Sequence, residues 1–247
     1  MKRKRLEDVL DSIYNQEDLS TQCNRSLCCC KVACPQMAYS EFVSLITNMW
    51  GRESKNEKIN LICKSVEYFF RYQYEKWGME ALEKPCLLLD DENKSCKYYE
   101  FRPLNCRLYG LWPKEDYEAR VDKFAKAYEV HGLKREDLPL NKQCKFVKRK
   151  DSTTELTGEL IDKLFERLDN LDKVTGEFSS VQVRQKENYR TFHDWLMLKV
   201  FGEDSLSQFT AFILAADRPT MEDQIEALKG VLREKFKNSL PEIADIV

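Results

Sequence analysis

The sequence predicts a mainly α protein, with a small hairpin and irregular loops around a multi-cysteine metal site and a helical C-terminal part. Three observations lead there. Apolar residues recur at helical spacing through most of the chain. Residues 84–109 break that pattern with short apolar runs around a polar turn. All ten cysteines lie at or before Cys144. This asymmetry predicts a cysteine-cluster metal-binding domain over 1–150 and a helical domain over 151–247.

Residues 5–15 place Leu6, Val9, Leu10 and Ile13 on one helical face. The stretch "CNRSLCCCKVACP", Cys23 to Pro35, follows as a loop. Ser40 reads as the N-cap of a helix through Trp50 that presents Phe42, Leu45 and Ile46. From Asn56 to about Leu82 the helical period returns in Ile59, Ile62, Val66, Phe69 and Phe70. Cys63 falls within that stripe and reads as a core cysteine, since a free thiol buries like a small hydrophobe. In 84–109, Leu87–Leu89 and Lys97–Tyr99 flank the polar turn Asp90–Lys94. Such a hairpin brings Cys86 and Cys96 to the same end. Arg102-Pro103 then fixes an irregular loop.

Glu115 to about Val130 reads as a helix with Tyr117, Val121, Phe124 and Tyr128 in one stripe. Ser152-x-x-Glu155 reads as a capping box for an amphipathic helix carrying Leu156, Leu160, Ile161, Leu164, Leu168 and Leu171. Later helices carry Phe192, Leu196 and Val200, then Leu206–Ala216, then Ile225, Leu228 and Leu232 after Thr220.

Composition narrows the function classes. A chain of 247 residues with 43% hydrophobic and 33% charged residues can bury a core. The net charge of −2 forces no polyanion-binding face, so no nucleic-acid partner is expected. No segment approaches the roughly 20 apolar residues of a membrane span. The basic run Met1–Arg5 meets Leu6-Glu7-Asp8 and not an apolar core, so a signal peptide does not fit and a cytoplasmic, bacterial-type setting is expected. The eight glycines contain no G-x-G, which removes a dinucleotide or P-loop cradle. The histidines are His131 and His193. The first reads as a helix-end residue, the second as a neighbour of Asp194 with no nucleophile tied to it.

In a reducing compartment, clustered thiols bind metal more often than they form structural disulfides. With Cys63 set aside, the candidate metal ligands are Cys23, Cys28, Cys29, Cys30, Cys34, Cys86, Cys96, Cys106 and Cys144. They form two groups and one later residue, with nine residues between Cys86 and Cys96 and nine between Cys96 and Cys106. A tetrahedral thiolate site takes four ligands, and so does an iron–sulfur cluster. The set exceeds one zinc site, and its spacing is not a pair of C-x2-C knuckles. Iron–sulfur cluster(s) are the expected cofactor, with zinc as the alternative.

The pieces "CCC-x3-CP-x-M-x3-EF" and "PCLLL…CKYYEFRPLNCRLYG" resemble the YkgJ-type family of bacterial cysteine-cluster proteins, described as a zinc- or iron-chelating domain. The resemblance covers roughly residues 23–145. It implies that Cys86, Cys96, Tyr99, Arg102, Pro103, Cys106 and Arg107 occupy the family's second cysteine segment, with Cys144 as the late cysteine. Two departures stand out: Cys23-x4-Cys28-Cys29-Cys30 replaces a leading C-x-x-C-x-x-C-C, and Leu87 stands where proline follows the family's cysteine.

Arg102 and Arg107 are the candidate cofactor-binding residues, because guanidinium groups offset the negative charge of a thiolate cluster. Tyr98, Tyr99 and Tyr109 read as packing around the centre, with the two helices of residues 40–82 closing it. Three functions follow. The first is a metal-cluster protein performing redox or cluster-dependent chemistry. The second is a protein-lysine-modifying enzyme, since the flagellin lysine methylases are similar in carrying this type of cysteine cluster. The third is a zinc-stabilised interaction module. The last two call for a protein substrate or a protein partner.

Overall fold

The structure, a computed structural model, describes residues 3–16, 21–23, 29–78, 85–90, 92–129, 132–138, 142–145, 147–149, 156–175 and 189–246. It is mostly helical. In chain order the elements are α1 (Arg3–Gln16), β1 (Thr21–Cys23), β2 (Gln36–Met37), α2 (Tyr39–Arg52), α3 (Lys55–Gly78), β3 (Leu89–Asp90), β4 (Ser95–Cys96), α4 (Leu104–Leu108), α5 (Lys114–Glu129) and β5 (Val147–Arg149). There follow α6 (Gly158–Thr175), β6 (Arg190–Thr191), α7 (Phe192–Phe201), α8 (Glu203–Leu214), α9 (Arg218–Asn238) and α10 (Ile243–Ile246).

Two compact units emerge, each drawn from two stretches of chain. One comprises Met1–Leu45 with Glu83–Arg190, the other Ile46–Leu82 with Thr191–Val247. This division differs from a single break near residue 150. The reason lies in which apolar stripes meet. The α6 stripe of Ile161, Leu164, Leu168 and Leu171 joins Leu6, Leu10 and Ile13 of α1 and Leu104 and Leu108 of α4 in one core. Each such side chain, fully buried, contributes about 1.5–3 kcal/mol. So α6 belongs with the cysteine-bearing part. The α3 stripe packs instead with α7, α8 and α9. Helix α3 thus belongs to the second unit.

Several helix starts differ from the sequence expectation. Helix α6 begins at Gly158, with the Thr157 hydroxyl accepting from the Leu160 N–H at 3.2 Å. The expected box at Ser152–Glu155 lies outside the described residues. Helix α9 is capped by Asp217, which accepts from the Thr220 N–H at 2.9 Å, so Thr220 lies inside the helix. In α7, Thr191 and Asp194 form a reciprocal capping box, which gives Asp194 a structural task beside His193. On α5, Tyr117 and Val121 are buried but Phe124 is 59% exposed, so the expected stripe ends after its second member.

In the second unit, Cys63 is buried, as are Ile59, Ile62, Val66 and Phe70 of the same helix, as expected of a core cysteine. Between α3 and α9 runs a charged seam. Lys229 Nζ lies 3.0 Å from Glu67 and 2.6 Å from Glu226, and Arg71 lies 2.8 Å from Glu67 and 2.7 Å from Glu222.

The start of α2 is held from outside its own sequence. Ser40, expected as the N-cap, is helical and donates its N–H to Asp172 Oδ1 at 2.8 Å; Tyr39 donates to Asp172 Oδ2 at 2.9 Å. A buried carboxylate on α6 therefore satisfies two N–H groups that the helix itself leaves unpaired. Asp172→Ala is expected to lower stability by about 2 kcal/mol, with Asp172→Asn intermediate, as measured by urea denaturation.

Candidate metal centre

The site is assembled around Glu41. Its carboxylate is 3% exposed and accepts three hydrogen bonds. Ala38 N–H donates to Oε2 at 3.0 Å, while the Tyr14 hydroxyl and the Leu104 N–H each donate to Oε1 at 2.6 Å. The first of these is half of a capping box, with Glu41 at the third helical position reaching back. The other two bind α1 and the start of α4 to the start of α2. Asn105 Nδ2 adds a bond to the Gln36 carbonyl at 2.7 Å. The segment after Cys34 and the segment before Cys106 are thereby pinned together.

The segment expected as an irregular loop is helical in part. Tyr99–Phe101 is one 3-10 turn, and α4 starts after Pro103, which places Cys106 in its middle. The hairpin is present but displaced. Leu89 pairs with Cys96 and Asp90 with Ser95, tightening the turn around Asp90, which accepts from the Asn93 N–H at 2.9 Å. Leu89 N–H also donates to the Cys86 carbonyl at 2.9 Å, so Cys86 and Cys96 share one end, as expected.

The loop Cys29–Cys34 closes onto this end. Cys86 N–H donates to the Cys30 carbonyl at 2.5 Å, and Leu87 N–H points at Cys34 Sγ at 3.2 Å. Cys29 Sγ and Cys30 Sγ stand 3.8 Å apart. The thiols of Cys29, Cys86, Cys96 and Cys106 act on one another electrostatically in every pairing. A thiol hydrogen bond to Cys30 and burial push Cys29 up. A bond to Cys34 and burial do the same to Cys86. Burial, opposed by a Tyr98 backbone bond and reinforced by Cys86, pushes Cys96 up to about 11. Burial raises Cys106 well above the ordinary thiol value, with Cys86, Cys29 and Cys96 adding to it.

Both halves of the predicted ligand set are thus represented, by Cys29, Cys30 and Cys34 on one side and Cys86, Cys96 and Cys106 on the other. Cys28 lies outside the described residues. Cys23 is described in its backbone, which pairs with Val147 across β1 and β5. Cys144 is buried beside Gly110. Its segment is tied down by Tyr109, whose hydroxyl donates to the Lys142 carbonyl at 2.8 Å, and by Gln143, which donates to the Trp112 carbonyl at 2.7 Å.

The two arginines take different places. Arg102 stacks on Tyr99 at 3.6 Å, and its charge favours the thiolates of Cys96 and Cys106. Arg107 lies over the Tyr14 ring at 4.1 Å and donates to the carbonyls of Arg102 and Glu100 at 2.8 and 2.9 Å. It braces the loop that carries Arg102 and Cys106. Burial lowers the pKa of its guanidinium, opposed by the neighbouring Tyr14.

Soft thiol donors suit zinc and iron–sulfur clusters and not a hard, oxygen-seeking cation. Among the described residues, no group of three or more His, Cys, Asp and Glu side chains is placed to hold a single metal ion as it stands. No protein-family model matches the chain, and neither a curated protein nor a solved structure matches it.

Sequence reading gave Glu41, Tyr14 and Asp172 no role. Glu41 had a visible signal, because it sits seven residues after Cys34 in the sequence. Tyr14 and Asp172 reach the site only through folding, from 27 and 133 residues away from their hydrogen-bonded partners.

Burial pushes the Glu41 carboxyl up to about 7, against the lowering effect of its three hydrogen bonds and with Asp172 adding to the rise. A carboxyl raised on folding gives its stability in full below its unfolded value near 4.5 and loses it as pH rises through about 7. The loss is on the order of 3 kcal/mol. Thermal unfolding between pH 5 and 8 should therefore show a steeper fall in the parent than in Glu41→Gln. Gly110 has φ +93°, and an added Cβ would lie 2.8 Å from the Cys144 carbonyl. Gly110→Ala is expected to lower stability by about 1–3 kcal/mol and to raise the alkylation rate of Cys144, read by mass spectrometry.

Proposed function

We propose that this protein is a metal-binding cysteine-cluster protein that holds one or more iron–sulfur clusters used in redox or cluster-dependent chemistry. The observation that carries the reading is that the Cys29–Cys34 loop closes onto the hairpin end that bears Cys86 and Cys96, through the Cys86 N–H bond to the Cys30 carbonyl and the Leu87 N–H at Cys34 Sγ, although the two segments lie more than fifty residues apart. Clustered, half-buried thiolates repel one another, and a bound cationic centre relieves that repulsion. Arg102 adds a fixed positive charge on the Cys96–Cys106 side. A multi-iron cluster takes its thiolates at different irons, so the sulfurs need to surround a volume and not to converge on one point. When bound, such a cluster supplies one-electron transfer or a Lewis-acidic iron. The chain's own residues bind it, exclude water by burial, and balance its charge. The motif resemblance to the YkgJ-type family supports the same assignment.

One observation favours a second reading, a zinc site. The 3.8 Å between the sulfurs of Cys29 and Cys30 matches the edge of a tetrahedral thiolate site with bonds of about 2.3 Å. Anaerobic purification separates the two. The cluster reading expects iron and acid-labile sulfide in equal amounts with broad visible absorption. Alanine at Cys29, Cys86, Cys96 or Cys106 should remove most of both, and Cys63→Ala should remove neither. Colourless protein containing only zinc would overturn the cluster reading in favour of the second, and protein that binds neither metal would overturn both.

A further inference from the structure

The loop of residues 29–34 carries three thiols, and that of Cys34 lies against the segment that bears Cys86. Leu87 N–H is 3.2 Å from Cys34 Sγ, and the Cys34 thiol faces the Pro85 carbonyl at 3.9 Å. Its sulfur is therefore held against the backbone on both sides of Cys86, whose own N–H is bonded to the Cys30 carbonyl.

We propose that Cys34 and Cys86 form a redox pair that a peroxide closes to a disulfide, withdrawing Cys86 from the metal-binding set. The consequence for metal rests on the cluster reading above; the disulfide does not. The chemistry balances with hydrogen peroxide as oxidant. Cys34 sulfur attacks one peroxide oxygen, the O–O bond breaks, and the products are a sulfenic acid and water. Cys86 sulfur then attacks the sulfenic sulfur. The S–S bond forms, the S–O bond breaks, and hydroxide leaves as water with the thiol proton. Two thiols lose two electrons in total, and one peroxide becomes two waters.

Geometry selects this pair over its nearest competitor. Cys29 and Cys30 are adjacent in sequence, and a trans peptide holds their Cα atoms about 3.8 Å apart, below the roughly 4.4–6.8 Å that a relaxed disulfide spans. Cys34 and Cys86 come from separate segments, and the Cys34 sulfur lies against the backbone on both sides of Cys86, with no such constraint. Cys106 has no comparable partner placed for exchange by backbone bonds; its thiol is surrounded at longer range by Cys86, Cys29 and Cys96.

The test uses the full-length chain as purified. It is exposed to a few equivalents of hydrogen peroxide, alkylated, digested and analysed by mass spectrometry, with bound iron and zinc measured in parallel. The expected result is a linked peptide pair joining Cys34 to Cys86, two hydrogens lighter than its parts and reversed by dithiothreitol. Metal release should accompany it. Cys34→Ser should form no such link, and the share of its own bound metal stripped at a given peroxide level should be smaller than in the parent. Oxidation confined to Cys29–Cys30, or to Cys96 and Cys106, would overturn the proposal, as would unchanged metal loss in Cys34→Ser. The link forming in a protein that never binds metal would leave the redox pair standing and remove the cluster reading. Metal bound with no Cys34–Cys86 link at any peroxide level would do the reverse.

Discussion

The cysteine-bearing unit depends on one buried carboxylate. Glu41 satisfies the N-terminus of its own helix and at the same time receives Tyr14 from α1 and the backbone of Leu104 at the start of α4. A carboxylate in that position carries a large desolvation penalty, which its three short hydrogen bonds offset only in part. Once it is in place, the register between the first cysteine segment and the second follows. Cys34 lies seven residues before Glu41, and Cys106 lies two residues beyond Leu104. Asp172 plays the companion part from α6, holding the N–H groups of Tyr39 and Ser40. Two carboxylates thus join α1, α2, α4 and α6, and their placement precedes any question of what the thiols bind.

The thiols pose a second electrostatic problem, of opposite design. Burial and mutual proximity hold Cys29, Cys86, Cys96 and Cys106 toward their neutral forms, with Arg102 the named cation working against this at Cys96 and Cys106. A group of acids kept neutral by its neighbours is poised to release protons together when a cation arrives, because each ionised thiolate is then paired with the metal and not with another thiolate. Arg107, expected to act on the thiols, instead braces the loop through two carbonyls and the Tyr14 ring. This links the brace to the Glu41 junction, since Tyr14 serves both.

Much of this was legible in the amino-acid order. The helical stripes of α1, α3 and α6, the cysteine hairpin and the core role of Cys63 follow from period and burial preference. Helix caps were legible where the cap is local, yet even there Asp217 and not Thr220 starts α9, since Pro219 fits the first turn and moves the boundary forward. What period cannot reveal is which stripe meets which. Helices α3 and α6 are both amphipathic, and only tertiary packing sends α3 to the C-terminal helices and α6 to the cysteine unit. The carboxylates escaped notice for the same reason. A single Asp or Glu on a helix reads as solvated until its distant donors are known.

The account's central claim is that the two cysteine segments make one sulfur-ligated centre. X-ray absorption at the iron edge of the full-length chain, reconstituted without oxygen, tests it most directly. The account predicts a first shell of sulfur and a second shell of iron scatterers, both lost when cysteines of either segment are replaced by alanine. A first shell of oxygen or nitrogen, or a sulfur shell that survives removal of Cys29 and Cys30 together, would contradict it.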